Sequence, residues 1–196
     1  MMRRSLPIAM AVALAALCGC ASSPKSEFYT LSPQAPQASA PAAAPITVLI
    51  GVVTVPELVD RPQIVVRSSD SKVEIDEFAR WADPLKTQIP NVIRADLARL
   101  LDSAYVSTRP IGVDPASAYR VQLDVQRFDG ALGDAATVDV LWSVSPPGKG
   151  SPRSGRSTVQ EHCAGAGYDA LVAAYSRALV AVSRDISASI RPASSQ

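Results

Sequence analysis

Histidine occurs once in this chain of 196 residues, and cysteine three times. So small a supply excludes a multi-bridge disulfide framework and leaves little material for a metal centre or a catalytic triad. Aromatic residues are scarce as well, with two Trp, three Phe and five Tyr, which argues against a large aromatic-lined pocket. Charge of neither sign dominates: 19 basic side chains stand against 18 acidic ones, a formal net charge of +1. A nucleic-acid binder needs a basic face, so that class drops out. No phosphate-binding glycine loop is present, because Gly148-Lys149-Gly150 follows two prolines and precedes a polar strand rather than a helix. His162 and Cys163 are adjacent, so in a strand they point to opposite faces and cannot act as a pair. Glu57, Asp60, Asp70, Glu74, Asp76 and Glu77 are separated by turns and strands and show no metal-ligand spacing. The chain therefore reads as a non-enzyme without a metal or a dissociable cofactor.

What is there begins at the N-terminus. Arg3 and Arg4 precede an apolar run from Leu6 to Leu17, broken only by Pro7. A membrane-spanning helix needs ~20 apolar residues, so this shorter run reads as an export signal covering residues 1–19. Its end, Leu17-Cys18-Gly19-Cys20, has the form of a bacterial lipobox. A thiol is required there because diacylglycerol is attached through a thioether, and a small preceding residue lets the peptidase reach the bond. Gly19 before Cys20 meets that requirement and the bulky Leu17 before Cys18 does not. Cys20 is therefore assigned as the acylated residue, and Cys18 leaves with the signal. Loss of Arg3 and Arg4 turns the net charge from +1 to −1. Two or three acyl chains anchor a protein stably where one does not. Ala21 stands where an Asp would retain a lipoprotein in the inner membrane, so the expected location is the outer membrane, facing the periplasm, in a bacterium with two membranes.

Residues 20–45 are mostly Ala, Ser, Pro and Gln, with Pro33, Pro36, Pro41 and Pro45 in their second half. Such a composition cannot bury a core and reads as a tether reaching about 80–90 Å when fully extended. Phe28-Tyr29-Thr30-Leu31 interrupts it with β-forming residues. This cluster docks as an edge strand, packs on a partner, or is a chance apolar patch in a linker.

With 47% apolar residues, the remaining stretch, residues 46–192, suffices for one domain with a sizeable core, followed by a tail at 193–196. Ile46–Val55 is nearly continuous apolar and β-branched, as a central buried strand would be. Residues 63–67 and 72–76 form two further strands across an Asp70-Ser71 turn. Asp83-Pro84 reads as a helix start, with the carboxylate as cap and Pro at the first helical position. Leu85, Ile89, Val92, Ile93, Leu97, Leu100 and Leu101 keep one helical face, leaving Arg94, Asp96, Arg99 and Asp102 for solvent. Pro90 within that helix predicts a kink or a late start. Residues 104–107 are a short strand. Residues 117–128, 137–145 and 154–162 make an antiparallel meander. Tyr168, Leu171, Val172, Tyr175, Leu179, Val182, Ile186 and Ile190 mark an amphipathic helix of about 23 residues. The expected fold is α+β: a mostly antiparallel sheet of about six to seven strands with two amphipathic helices packed on one face.

Two clusters are unusual for a plain surface. Asp60-Arg61-Pro62-Gln63 follows the first strand, and Arg80-Trp81-Ala82-Asp83-Pro84-Leu85 opens the first helix. Arg and Trp are frequent interface residues. Trp81 equally fits a staple that holds the helix start against the sheet.

These stretches, with the lipobox, Phe28–Leu31, Ile50-Gly51-Val52 and residues 55–65, resemble the ABC-type transport auxiliary lipoprotein family, the PqiC/YmbA-like proteins. The likeness is strongest over residues 28–101. Val59 stands where the family has Leu, and Pro90 interrupts a helix that is usually free of proline. The resemblance implies a non-enzymatic outer-membrane lipoprotein, an accessory subunit of an MCE-type machine moving lipid between membranes. It implies as partner an inner-membrane MCE-domain protein of the PqiB type, beside the outer-membrane lipid itself. Arg61, Pro62, Arg80, Trp81 and Pro84 would then be docking or scaffold residues. A lipid-binding carrier and an envelope assembly or structural factor are the competing readings. No repeat or heptad predicts a homo-oligomer, which stays open. Cys20→Ala is expected to abolish acylation and empty the membrane fraction of the protein, read by fractionation and immunoblot; an unchanged membrane fraction would overturn the assignment.

Overall fold

The computed structural model describes residues 24–36, 46–102 and 104–191. The signal, Cys18, Cys20 and the C-terminal tail lie outside the described residues, as does the second half of the tether. Eight strands and two long helices follow in the order β1 (Glu27–Tyr29), β2 (Ile46–Thr54), β3 (Gln63–Ser69), β4 (Lys72–Trp81), α1 (Leu85–Leu101), β5 (Ala104–Ser107), β6 (Tyr119–Gly130), β7 (Ala135–Ser145), β8 (Arg153–His162) and α2 (Tyr168–Ile190). The fold is α+β, as the patterning predicts.

The single, mostly antiparallel sheet is replaced by two mixed ones. The larger runs β5-β2-β6-β7-β8 and the smaller β1-β4-β3. β6, β7 and β8 form the predicted antiparallel meander. β2, however, pairs parallel with both β5 and β6. Between β2 and β5 the chain makes the β3–β4 hairpin and then α1, a crossover long enough to bring β5 back in the direction of β2, and β6 returns in that direction after the loop that follows β5.

β2 buries Val48, Leu49 and Ile50 in succession, then shifts register against β6 between Ile50 and Val53. The shift leaves Val52 78% exposed, so the strand is not enclosed along its whole length. β4 is longer than its alternation suggests. The Asp76 carboxylate accepts from the backbone N–H groups of Phe78 and Ala79, at a bulge in the pairing with β3, and the strand continues as far as Trp81. Arg80 and Trp81 thus end a strand instead of opening the helix. Pro84 caps α1 in extended backbone and Leu85 is its first residue. The Asp83 carboxylate makes no capping bond; the Gln88 side chain donates to the Asp83 carbonyl at 2.6 Å instead. α1 starts ahead of Pro90, which sits buried within the helix.

The core lies between the large sheet and the two helices and is filled by side chains such as Leu97, Leu101, Val121, Val138, Leu179 and Ile186. Its polar exceptions include Asp96, which is fully buried although its position predicts solvent, and Ser176, Ser183 and Ser187 on α2. Trp81 from the small sheet, Phe128 from β6 and Tyr175 from α2 meet in an aromatic trio. Phe128 and Tyr175 stack at 4.1 Å, and Trp81 meets each edge-on at 6.2 Å. Such pairs add about 0.5–1.5 kcal/mol each beyond the area they bury.

Trp142 on β7 lies over Gly155, its register partner on β8, and donates its Nε1 proton to Ser157 Oγ at 2.9 Å. A Cβ at position 155 would stand 2.3 Å from the indole ring. Gly155→Ala must displace a rigid ring that is also hydrogen-bonded. It is expected to cost about 1–3 kcal/mol, read as a lower midpoint in urea unfolding.

Candidate functional site

The stretches that stand out in the sequence come together at one end of the small sheet. Phe28 and Tyr29 register against Arg80 and Trp81 in parallel pairing. The Ala82 N–H donates to the Tyr29 carbonyl at 2.8 Å, and the Trp81 N–H to the Pro62 carbonyl at 2.7 Å. Residues 56–60 close a single turn in which Val59 and Asp60 donate to the Pro56 carbonyl. Asp60 then reaches α1 through an ion pair with Lys86 at 2.5 Å. Both partners are partly exposed, so the pair contributes about 0.2–1 kcal/mol. Its larger effect is to hold the turn that carries Arg61 and Pro62 against the start of α1.

The candidate residues divide by exposure. Trp81 is 5% exposed and inside the aromatic trio, so it offers no surface to a partner and acts on the scaffold. Pro62 and Pro84 are exposed; Arg61 and Arg80 are half-buried. The Arg61 Nε atom is buried without a partner, while no ion pair engages either guanidinium among the described residues.

A second set of residues, passed over in the sequence, clamps the segment after β1. Leu31 and Ala35 are buried although composition places them in the tether. Gln88 Oε1 on α1 accepts from the Leu31 N–H at 2.8 Å and the Thr30 hydroxyl at 3.1 Å. Ser176 Oγ on α2 accepts from the Ser32 N–H at 3.1 Å. Asp96 Oδ1 accepts from the Ala35 N–H at 2.9 Å, and Arg99 donates to the Pro33 carbonyl at 3.1 Å. Residues 30–35 are therefore a strap across both helices. The folded body begins at β1, before the boundary at Ile46 that composition suggests. A signal for the strap is visible afterwards: Gln88, Asp96 and Arg99 step along α1 at intervals of eight and three, beside the apolar stripe, where a solvated face would have no reason to be buried.

A family model described as an ABC-type transport auxiliary lipoprotein component matches residues 29–187. The chain belongs to this family. The match begins inside β1, so the strap lies within the region that defines the family. A crystal structure of an uncharacterized protein is similar to this auxiliary lipoprotein at 21% identity and a TM-score of 0.71, covering 86% of this chain and 100% of that one. The crystal structure of protein XCC0632 from Xanthomonas campestris is similar at 20% identity and a TM-score of 0.66, covering 82% and 92%. At that identity the likeness concerns the fold. No curated protein matches the sequence.

Elsewhere the auxiliary lipoprotein shows little reactive geometry. No group of three or more His, Cys, Asp or Glu is placed to hold a metal among the described residues. Cys163 is half-buried, and burial pushes its thiol pKa up, which weakens it as a nucleophile. His162, its neighbour, is exposed. The hollows open at the surface. One of about 240 Å³ lies beside Leu49, Ile50, Arg109 and Arg120; another of about 390 Å³ lies between Tyr119, Pro146, Arg153 and Ile190.

Burial also pushes the Asp96 pKa up, against the opposing pull of the Ala35 and Gln34 N–H groups, Arg99 and Arg184. The folded state thus holds this proton more tightly than the unfolded chain does. Its contribution to stability falls as pH rises from the unfolded value near 4 through the raised folded value, then levels off. The unfolding free energy of the wild type relative to Asp96→Asn is expected to decline over that interval, measured by urea titration at a series of pH values. A pH-independent difference would remove the buried carboxylate as the cause.

Proposed function

We propose that this auxiliary lipoprotein is held at the periplasmic face of the outer membrane by acyl chains on Cys20. There it serves as a non-enzymatic docking subunit for an MCE-type, ABC-linked machine that moves lipid between the two membranes. The lipobox and Ala21 support the anchor and the membrane. The family supports a role beside a transporter.

The observation that carries the docking role is the convergence at the small sheet. Residues 28–31, 56–63 and 80–86 are far apart in sequence, yet they are tied into one surface by backbone bonds and the Asp60–Lys86 pair. That surface presents Arg61, Pro62 and Pro84 over a rigid base, while Arg80 lies on the outer face of the sheet beside Phe28. Rigid, Arg-bearing patches suit protein partners, because little side-chain freedom is lost on binding. A carrier role is less well supported. The space between helices and sheet is filled by the core, so lipid would have to bind in an open surface hollow.

Photocrosslinkers at positions 61 and 84 of the membrane-anchored protein are expected to capture an inner-membrane MCE-domain protein, identified by mass spectrometry. Arg61→Glu should reduce its co-purification. Recovery of the protein alone, with phospholipid bound in stoichiometric amount, would favour the carrier reading instead.

A further inference from the structure

Pairing of β1 with β4 shortens the tether. Glu27 lies seven positions after Cys20, so the chain between anchor and sheet spans at most about 25 Å, against the 80–90 Å that the whole stretch of residues 20–45 would allow. β1 cannot drift from the body, because the strap bonds to Gln88, Ser176 and Asp96 follow it immediately. An acyl group on Cys20 therefore holds the small sheet close to the bilayer. Because β1 runs parallel to β4, the chain upstream of Glu27 leaves the sheet beside Phe78, next to the end of β4 that β1 covers.

That end of the sheet is apolar on its outer side. Burial alternates through Phe78, Ala79, Arg80 and Trp81, placing Phe78 and Arg80 outward. Phe28 registers with Arg80 and points the same way, while Tyr29 turns inward against Tyr168 at 5.7 Å. Phe28 is 66% exposed and Phe78 42%, and Ile75 further along β4 is 40% exposed. The chain has only three phenylalanines, and the two that reach the surface are both here. Lys25 and Arg80 flank them, and neither is engaged in an ion pair among the described residues. The nearby carboxylates are hydrogen-bonded to neutral groups, Glu27 to the Tyr29 hydroxyl, Asp76 to backbone N–H groups and Glu77 to Gln63, and keep their charge, so the rings and not net charge carry the attraction.

We propose that this outer face of the small sheet, Phe28 and Phe78 with Lys25 and Arg80 beside them, seats in the interfacial zone of the bilayer that holds the anchor. Aromatic rings partition to the headgroup level, and basic side chains reach the phosphates beside them. The lipid on Cys20 and the two rings make a two-point attachment, which fixes how the body stands on the membrane. The inference rests on acylation of Cys20.

The test uses the mature full chain, reconstituted in palmitoyl-oleoyl phosphatidylcholine vesicles, with its Cys20 adduct confirmed by mass spectrometry. Phe28→Trp and Phe78→Trp are compared with Tyr105→Trp, which places the probe on the exposed β5 edge of the other sheet. Each emission is read as a difference from the parent protein, whose own two Trp are common to all. The expected result is a blue shift and loss of emission with brominated lipid at positions 28 and 78, and iodide quenching without either change at 105. Iodide quenching at 28 and 78 with no effect of brominated lipid, the adduct being present, overturns this proposal and leaves the anchor intact. Absence of the adduct removes the Cys20 assignment and this proposal with it.

Discussion

Trp81 is the side chain through which the parts of this molecule hold together. It ends β4 in the small sheet, yet its ring meets Phe128 of the large sheet and Tyr175 of α2. Three elements that share no backbone ladder are thereby fastened at one point, and the third pair, Phe128 on Tyr175, is stacked. Gly130 makes the arrangement possible, since a Cβ there would stand 2.6 Å from the Tyr175 hydroxyl. The backbone around Trp81 is bound from both sides: the Trp81 N–H donates to the Pro62 carbonyl and the Ala82 N–H to the Tyr29 carbonyl. The turn bearing Arg61 and Pro62, the β1 strand and the start of α1 are consequently positioned by the same contact.

From that point the N-terminal segment takes its path. β1 adds to the free edge of β4, and residues 30–35 then lie across the helices through bonds to side chains rather than through a sheet ladder. A buried N–H left without a partner costs about 1–3 kcal/mol, so Gln88 and Asp96 are needed where they stand. The burial of Asp96 is explained by the strap it receives. What looks from composition like a long spacer is, over this part, a structural component of the domain. The consequence for a lipid-anchored protein is orientation: a short link restricts which face can meet the membrane and which can meet a partner.

Much of the fold was legible in the residues because it depends on local periodicity. Alternation at steps of two marked β6 and β7, and steps of three and four marked α2 over its full 23 residues. The element order from β2 to α2 follows from the same patterns. Parallel pairing of β2 with β5 and β6 was not legible, because alternation is the same in either direction. The end of β4 was hidden because a bulge at Asp76 breaks the alternation inside the strand. The candidate site was half legible. Arg61, Pro62, Arg80 and Pro84 stood out; Arg61, Pro62 and Pro84 share a surface, while Arg80 lies on the outer face of the small sheet. Trp81 was open to two meanings until its ring was seen to be enclosed.

The amino-acid sequence by itself determined the α+β class, the order of the elements from β2 to α2, and the scarcity of histidine and cysteine. Each of these is a matter of composition or of neighbours a few residues apart. Tertiary structure alone decided that the sheet divides in two, that residues 27–35 of the expected tether belong to the folded body, and that Gln88 and Asp96 belong to the interior. Those outcomes depend on which groups arrive opposite one another from positions about 60 to 140 residues away, and an N–H or a carboxylate shows its partner only once the chain has closed on it.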